Sequence, residues 1–364
     1  MGYVAVQGGT TAIENSRKLN RYLRLRGESA PLTVSQIMEQ MAPLVDRVMG
    51  EGGLYSPFHA ALAIKQASGD PIEAAFLLRA YRSTLRRLVD SLPVRTETMR
   101  ISRRISAAFK TIPGGQVLGS TSDYEQRILD FSLADETVET QKEVVHDFEA
   151  GARPGEEAPE PAEFRKVVEM LREQGLVPPV PDRPSPQPTD ITQESPAFPL
   201  DRSGRLQMLA RAETGGVLAL AYSSMRGYGN IHPTVGELRV GRVTVQIPHP
   251  WRKGTAITLG SVSITEVEIV AKTAPQDSEE AKPTFALGYG SCFGHNEVKA
   301  ISLGVLDRAM RSPSPRAPAE DHEFVLLHTD GVESSGFCSH FKLPHYVTFQ
   351  ADLDQLRAMR ENEE

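Results

Sequence analysis

An α+β fold is predicted by three observations: a capped, helix-forming first third, an acidic and proline-rich middle, and alternating apolar and polar residues in the last part of the chain. With 364 residues, 40% hydrophobic and 24% charged, the chain is long enough to bury a substantial core and to divide in two. The boundaries expected are a mainly helical domain over 1–135, a linker or surface-wrapping arm over 136–200, and an antiparallel β-rich domain with helices over 201–364.

In order along the chain, a short apolar strand at 3–6 leads through Gly8-Gly9-Thr10 into a helix. Thr33 with Gln36 forms a capping box for a helix whose Ile37, Met41, Leu44, Val45 and Val48 share one stripe, kinked at Pro43. Asp70-Pro71-Ile72-Glu73 sets a cap, a proline in the first turn and an acidic residue behind it, so a helix is expected over 70–90. Ile101, Ile105 and Ala108 point to a further helix. The middle gathers acidic residues between Asp135 and Glu163 and then repeated prolines, a composition unable to fold alone. Within it, Phe164, Val167, Val168 and Leu171 fall at helical spacing and need a partner surface in this chain or another. Val243, Val245 and Ile247, and then Val267 and Ile269, alternate with polar residues as half-buried strands do. Short strands are also expected at 324–328 and 346–349, and a helix over 296–310 after the glycine-rich run from Gly288 to Gly294.

A net charge of −7 argues against coating nucleic acid, so any anion site must be local. Two cysteines, Cys292 and Cys338, offer no disulfide framework, and no leader, lipidation signal or membrane-length apolar run is evident. The expectation is a cytoplasmic protein without membrane attachment.

Three features can carry chemistry. In His340-Phe341-Lys342-Leu343-Pro344-His345 the two imidazoles sit five residues apart, which turns them roughly 140° from each other on a helix, so they converge only across a bend such as Pro344 invites. Two neutral imidazoles suit zinc, but a zinc site needs more ligands, from Cys338, His328, Cys292 or a second chain. Alternatively, one is a turn histidine and the other a surface residue. The second feature is the basic run from Arg79 to Lys110, in which Arg79, Arg82 and Arg86 share a helix face. Such guanidiniums grip phosphate oxygens, or else form a solvated face or meet an acidic partner. The third is the glycine runs at Gly8-Gly9 and Gly288-x-Gly290-x-x-x-Gly294. They fit neither a Walker loop nor a dinucleotide fingerprint, and tight turns account for them.

Longer segments carry a resemblance. Tyr3-Val4-Ala5-Val6-Gln7-Gly8-Gly9, Glu51-Gly52-Gly53-Leu54-Tyr55, Leu62 through Asp70, Phe76 through Arg82, Arg226-Gly227-Tyr228-Gly229 with His232-Pro233, and Asp330-Gly331-Val332-Glu333 running to Val347 together resemble the PhnI family. That family supplies the I subunit of the carbon–phosphorus lyase core complex. The resemblance implies a subunit that works with G, H and L companions to displace adenine from MgATP by an alkylphosphonate, giving ribose 1-phosphonate 5-triphosphate. A J subunit then cleaves the carbon–phosphorus bond. It also implies nucleosidase activity when the subunit acts alone, and zinc held by His340 and His345 with cysteines of the J subunit.

Substitution at an anomeric carbon passes through an oxocarbenium-like state, so the site needs an acid for the departing base and negative charge near the ring. Asp330 and Glu333 are the candidates, from a polar loop expected between strands near the histidine pair. Arg79 and Arg82 are expected to neutralise the triphosphate, with Mg²⁺ bridging it. The competing expectation is a non-catalytic scaffold that donates two zinc ligands to a shared interface.

Overall fold

The computed structural model describes residues 9–151, 164–179, 188–228, 232–272, 283–342 and 346–361. Among them are thirteen α-helices and one four-stranded antiparallel sheet, an α+β architecture as the sequence predicts. The strand expected at 3–6 lies outside the described residues.

Four helices form the first core: α2 (Val34–Gln40), α3 (Ala42–Gly52), α4 (Pro57–Gln66) and α5 (Pro71–Thr84). The Thr33 box closes both ways, the Gln36 amide donating to Thr33 Oγ1 at 3.1 Å and the Thr33 amide to Gln36 Oε1 at 2.8 Å. Pro43 does more than kink the helix. It sits in the first turn of α3, where its missing N–H costs nothing, and the chain breaks at Met41 into two helices. Ile37, Val45, Val48, Ile64, Ala74 and Leu78 pack together between them. At Gly52 a Cβ would stand 2.9 Å from the Leu78 side chain, so glycine lets α3 and α5 touch. By contrast α1 (Thr10–Leu25) buries no residue.

Asp70 caps α5 by accepting from the Ile72 and Glu73 amides at 2.9 and 3.1 Å. The helix ends at Thr84, short of 90. Ser83 and Thr84 turn their hydroxyls back onto the Ala80 and Tyr81 carbonyls, and the chain beyond runs extended until the Leu92 amide donates to Gln246 O at 2.8 Å. Arg86 therefore leaves the helix face assigned to it with Arg79 and Arg82.

The segment carrying Ile101 and Ile105 is a strand, β1 (Arg100–Ile105), not a helix. A spacing of four fits both periods, since it is even as well as nearly one helical turn, and pairing with the next strand decides the matter. Strands β1, β2 (Thr234–Pro248), β3 (Ala256–Lys272) and β4 (Phe285–Phe293) lie in sequence order, each antiparallel to the next. The sheet thus draws its first strand from the N-terminal part of the chain. On one face α10 (Glu297–Ala309), capped by Asn296, packs over β4. Added Cβ atoms at Gly288 and Gly290 would meet the Gly304 and Ala300 carbonyls at 1.9 and 2.0 Å. These glycines serve close helix–strand packing rather than the tight turn expected of them.

The opposite face carries alternate residues Glu237, Arg239, Glu266, Glu268 and Tyr289. Over it lies α7 (Val167–Glu173), whose Val167, Val168 and Leu171 pack on Ile112, Val177 and Val270. The amphipathic helix of the proline-rich region therefore finds its partner in this chain. A second helix of that region, α6 (Val138–Gly151), buries nothing.

The remaining helices are α8 (Arg202–Arg211), α9 (Thr214–Met225), α11 (His322–His328), α12 (Gly331–His340) and α13 (Tyr346–Glu361). Of these, α11 and α13 stand where short strands are expected at 324–328 and 346–349, and α12 replaces the polar loop expected between them. Asp321 caps α11 through the Glu323 and Phe324 amides, a signal that outweighs a short apolar run whose periodicity cannot separate helix from strand. No helix among the described residues is long and apolar enough to cross a membrane.

Candidate functional site

Helices α3, α5, α8 and α12 converge at Arg79 and Asp330. Asp330 is not in a loop between strands; it caps α12, Oδ1 accepting from the Val332 and Glu333 amides at 3.0 and 3.2 Å. Arg79, from the middle of α5, clasps both carboxylate oxygens with Nη1 at 3.0 and 2.7 Å, and its Nη2 donates to Glu51 O at 2.8 Å. A residue expected to bind phosphate and one expected to act as an acid are thus each other's partner.

Behind this pair stands a second set of carboxylates. Glu51 accepts from Arg47 Nε at 2.9 Å and from the amide and hydroxyl of Thr214 at 3.0 and 2.9 Å. Glu213 pairs with Arg47, caps α9 through the Gly215 and Gly216 amides, and donates its own amide to Thr329 O at 2.7 Å. The chain at Gly331 runs so close that a Cβ there would fall 2.7 Å from Glu213 Cγ.

Arg82 lies three residues beyond Arg79 on the same face, its hydrogen bond to Gly53 O long at 3.5 Å. Arg211, at the end of α8, faces the same space. Burial and the neighbouring Arg79 and Arg82 guanidiniums push Arg211 down to about 10, against the pull of Asp330 and Glu333. Burial, with Arg79 and Arg87, also lowers Arg82. Neither Arg82 nor Arg211 reaches ion-pair distance of a carboxylate among the described residues, and Nε of both Arg79 and Arg211 is buried without a hydrogen-bond partner. Three guanidiniums crowded against one another form a site short of negative charge.

Two cavities open here and share Ile191 and Arg211. The larger, about 400 Å³, lies between α3, α8 and the edge strand β4; the smaller, about 90 Å³, is bordered by Thr329, Asp330 and Glu333. Glu333 is exposed in the first turn of α12. Cys292 lines the larger cavity, its thiol pushed up to about 11 by burial. Nearby, burial lowers the Lys299 ammonium, whose Nζ has no hydrogen-bond partner among the described residues, while Cys292, Glu51 and Glu213 oppose the shift.

The histidine pair is placed only in half. His340 ends α12 and is exposed, while Leu343, Pro344 and His345 lie outside the described residues. Asp330 and His340 stand at opposite ends of α12, roughly 15 Å apart at the helical rise. His340 and any metal it holds thus lie away from the arginine cluster. His328 does not join it: its Nδ1 meets the Phe324 carbonyl at 2.7 Å and its ring stacks on Phe324. Cys292 is buried elsewhere, and Cys338 is exposed on α12. Among the described residues no three His, Cys, Asp or Glu side chains could hold a metal together.

Sequence reasoning missed Arg211, Glu51 and Glu213. The one signal available was Glu213-Thr214-Gly215-Gly216, an acidic residue two before a glycine pair at a helix start, which reads as a cap.

The sequence model described as "Bacterial phosphonate metabolism protein (PhnI)" matches residues 2–363. The chain is 45% identical to the alpha-D-ribose 1-methylphosphonate 5-triphosphate synthase subunit PhnI of Escherichia coli K12, over 99% of each chain. It is 44% identical to the protein of that name from Rhizobium meliloti, over 98% of this chain and 95% of the other. Identity rises to 52% with the putative C-P lyase subunit protein HtxH of Stutzerimonas stutzeri, over 99% and 96%. A match from end to end, at these identities, makes this chain a member of the PhnI family.

Proposed function

We propose that this protein is a subunit of a cytoplasmic carbon–phosphorus lyase complex, and that with G, H and L companions it transfers the ribosyl triphosphate of MgATP from adenine to an alkylphosphonate. The observation that carries the reading is the Arg82–Arg211 pair, two partly buried guanidiniums with no carboxylate partner among the described residues, both lining the larger cavity and Arg211 also the smaller. Such a pair stabilises a polyphosphate by charge-assisted, bidentate hydrogen bonds, and binding relieves its own repulsion. The names of the E. coli and R. meliloti relatives point to the same product class.

The chemistry divides among the residues as follows. The C1′–N bond to the base breaks, a phosphonate oxygen bonds to C1′, and the base leaves with the electron pair and takes up a proton. Arg82 and Arg211 hold the triphosphate and screen it from the incoming phosphonate, so that two anions can approach. Mg²⁺ enters as part of the substrate. Asp330 has both oxygens engaged by Arg79 and the start of α12, so it fixes the geometry and supplies negative charge near the ring. Glu333 presents an exposed carboxylate beside it and is assigned proton transfer. Without the companions, water replaces the phosphonate, which is the nucleosidase reaction.

A second reading is favoured by the far end of α12. His340 is exposed there with Phe337 and Phe341 beside it, a surface suited to another chain. His340 and His345, with cysteines of a J subunit, would hold zinc, which would tie the two chains together. In this reading the protein is a scaffold.

Adenine release decides between them. The chain reconstituted with its companions, MgATP and an alkylphosphonate should free adenine, and Arg211→Gln should cut kcat/KM for MgATP by at least about tenfold, one charged hydrogen bond's worth. Adenine released by the companion subunits without this chain would favour the scaffold. Adenine release indifferent to Arg211→Gln would remove the arginine site from the reaction.

A further inference from the structure

We propose that the larger cavity is the seat of the purine ring, with the ribose and phosphates leaving it past Arg211 and Arg82. The proposal rests on the ribosyl-transfer reading and adds which part of the nucleotide goes where.

The cavity's volume of about 400 Å³ lies within the range of small-molecule sites, which are apolar with a few polar groups that fix orientation. Its walls have that character. Leu206 and Ala210 of α8 form one side, and Ile264, Phe293 and Leu303 supply apolar surface opposite. Gly50, Gly53 and Gly290 line it without side chains, which leaves room for a flat ring. Besides Arg82 and Arg211, the polar groups that can meet a ring include Thr192, Gln207 and Ser291. The Gln207 amide is itself held by Thr189 O, so it is oriented before any ligand arrives.

The position of β4 adds a recognition edge. It is the last strand of the sheet, so one side of its backbone takes no part in the ladder, and the Tyr289 amide donates to Asp307 Oδ2 at 2.9 Å instead. Ser291, two residues on and on the same side of the strand, carries that edge along the cavity wall. A purine presents donors and acceptors side by side on its rim, the complement of alternating strand N–H and C=O groups.

The proposal also locates the reacting bond. The two cavities share Arg211 and Ile191, so a base in the larger one puts its glycosidic carbon at that junction. The smaller cavity next to it is bordered by Asp330 and Glu333, the groups the transfer needs within reach. Arg82 and Arg211 line the larger cavity too, so the phosphates have charged partners there while the uncharged base takes the apolar walls, where a phosphate would be buried at a cost.

Separate probes test the two halves. Adenosine and inorganic tripolyphosphate are titrated calorimetrically into the full chain, alone and with its companions. Ala210→Phe should fill the cavity and weaken adenosine at least tenfold while leaving tripolyphosphate within about twofold. Arg211→Gln should do the reverse. Retained tripolyphosphate binding reports that Ala210→Phe has folded; should it not fold, Ala210→Leu carries the same comparison. Adenosine binding unchanged in the filled variant, or no adenosine binding by the intact protein, overturns the proposal. Its failure is distinct from failure of the transfer reading. If only the cavity is wrong, adenine release persists at wild-type rate in Ala210→Phe; if only the transfer is wrong, adenosine responds as described and no adenine is released.

Discussion

Beneath the sheet, Arg104, Lys166 and Arg239 face Glu237, Glu266 and Glu268; where α5, α8 and α12 meet, Arg79, Arg82 and Arg211 face Asp330 and Glu333. The sheet cluster is closed. Arg104 Nε lies 2.5 Å from Glu237, Arg239 pairs with Glu266, and Lys166 Nζ reaches Glu266 at 3.1 Å and Glu268 at 3.7 Å. Burial alone would push Glu266 up, but Arg239 and Lys166 draw it below the usual carboxylate range. In the other cluster only Arg79 has a carboxylate partner among the described residues, and the two remaining guanidiniums are lowered by burial first, then Arg82 by Arg79 and Arg87 and Arg211 by Arg79 and Arg82. Charges that satisfy one another hold a structure together; charges left over at a cavity await a ligand.

The largest effect should come from opening the closed cluster. Arg104 is fully buried, donates to the Pro113 and Arg165 carbonyls at 2.5 and 3.0 Å besides Glu237, and lies 5.0 Å from the Phe164 ring centre. Arg104→Met would strand Glu237 and these carbonyls together. The expected loss is about 3–5 kcal/mol in chemical denaturation, the cost of removing one partner of a buried pair. A loss under about 1 kcal/mol would make the sheet cluster no more closed than the site.

A smaller effect probes a weak point of that cluster. Burial, with Glu266 and Glu237 nearby, raises Glu268 to about 7 despite Lys166, and its Oε2 has no hydrogen-bond partner among the described residues. The folded chain therefore keeps a proton that the unfolded chain gives up from about pH 4.5. The stability this contributes is complete below that pH, falls as pH rises towards 7, and is gone above it. Glu268→Gln lacks this loss, so at pH 8 it should exceed the wild type by about 1–3 kcal/mol relative to their difference at pH 4.5. Parallel stability curves for the two proteins would contradict the assignment.

How far this was legible in the sequence follows the same division between local and long-range causes. The caps at Thr33, Asp70 and Asn296 lie within a few residues of the amides they serve, so those helices could be read directly. β1 could not, because only its pairing with β2, over a hundred residues later, separates strand from helix for Ile101 and Ile105. Arg79 and Asp330 were singled out for separate duties, yet nothing in the sequence announces that they touch across 251 positions. Arg211 carries no motif at all; it matters only because the fold turns the end of α8 towards α5. His345 lies outside the described residues, so the zinc pair stays an expectation of the family resemblance.

The finest test separates two arginines that look alike in the sequence. Arg79 is bound into Asp330 and the α3 carbonyl of Glu51, whereas Arg82 makes one long bond to Gly53 O. Arg82→Gln should therefore raise the apparent KM for MgATP about three- to tenfold, near 1 kcal/mol, with the melting temperature unchanged. Arg79→Gln leaves Asp330 held only by the Val332 and Glu333 amides, so kcat should fall and the melting temperature drop with it. Were both variants to raise KM alone and leave melting untouched, Arg79 would be a phosphate ligand like Arg82, and its pairing with Asp330 would give way when nucleotide binds.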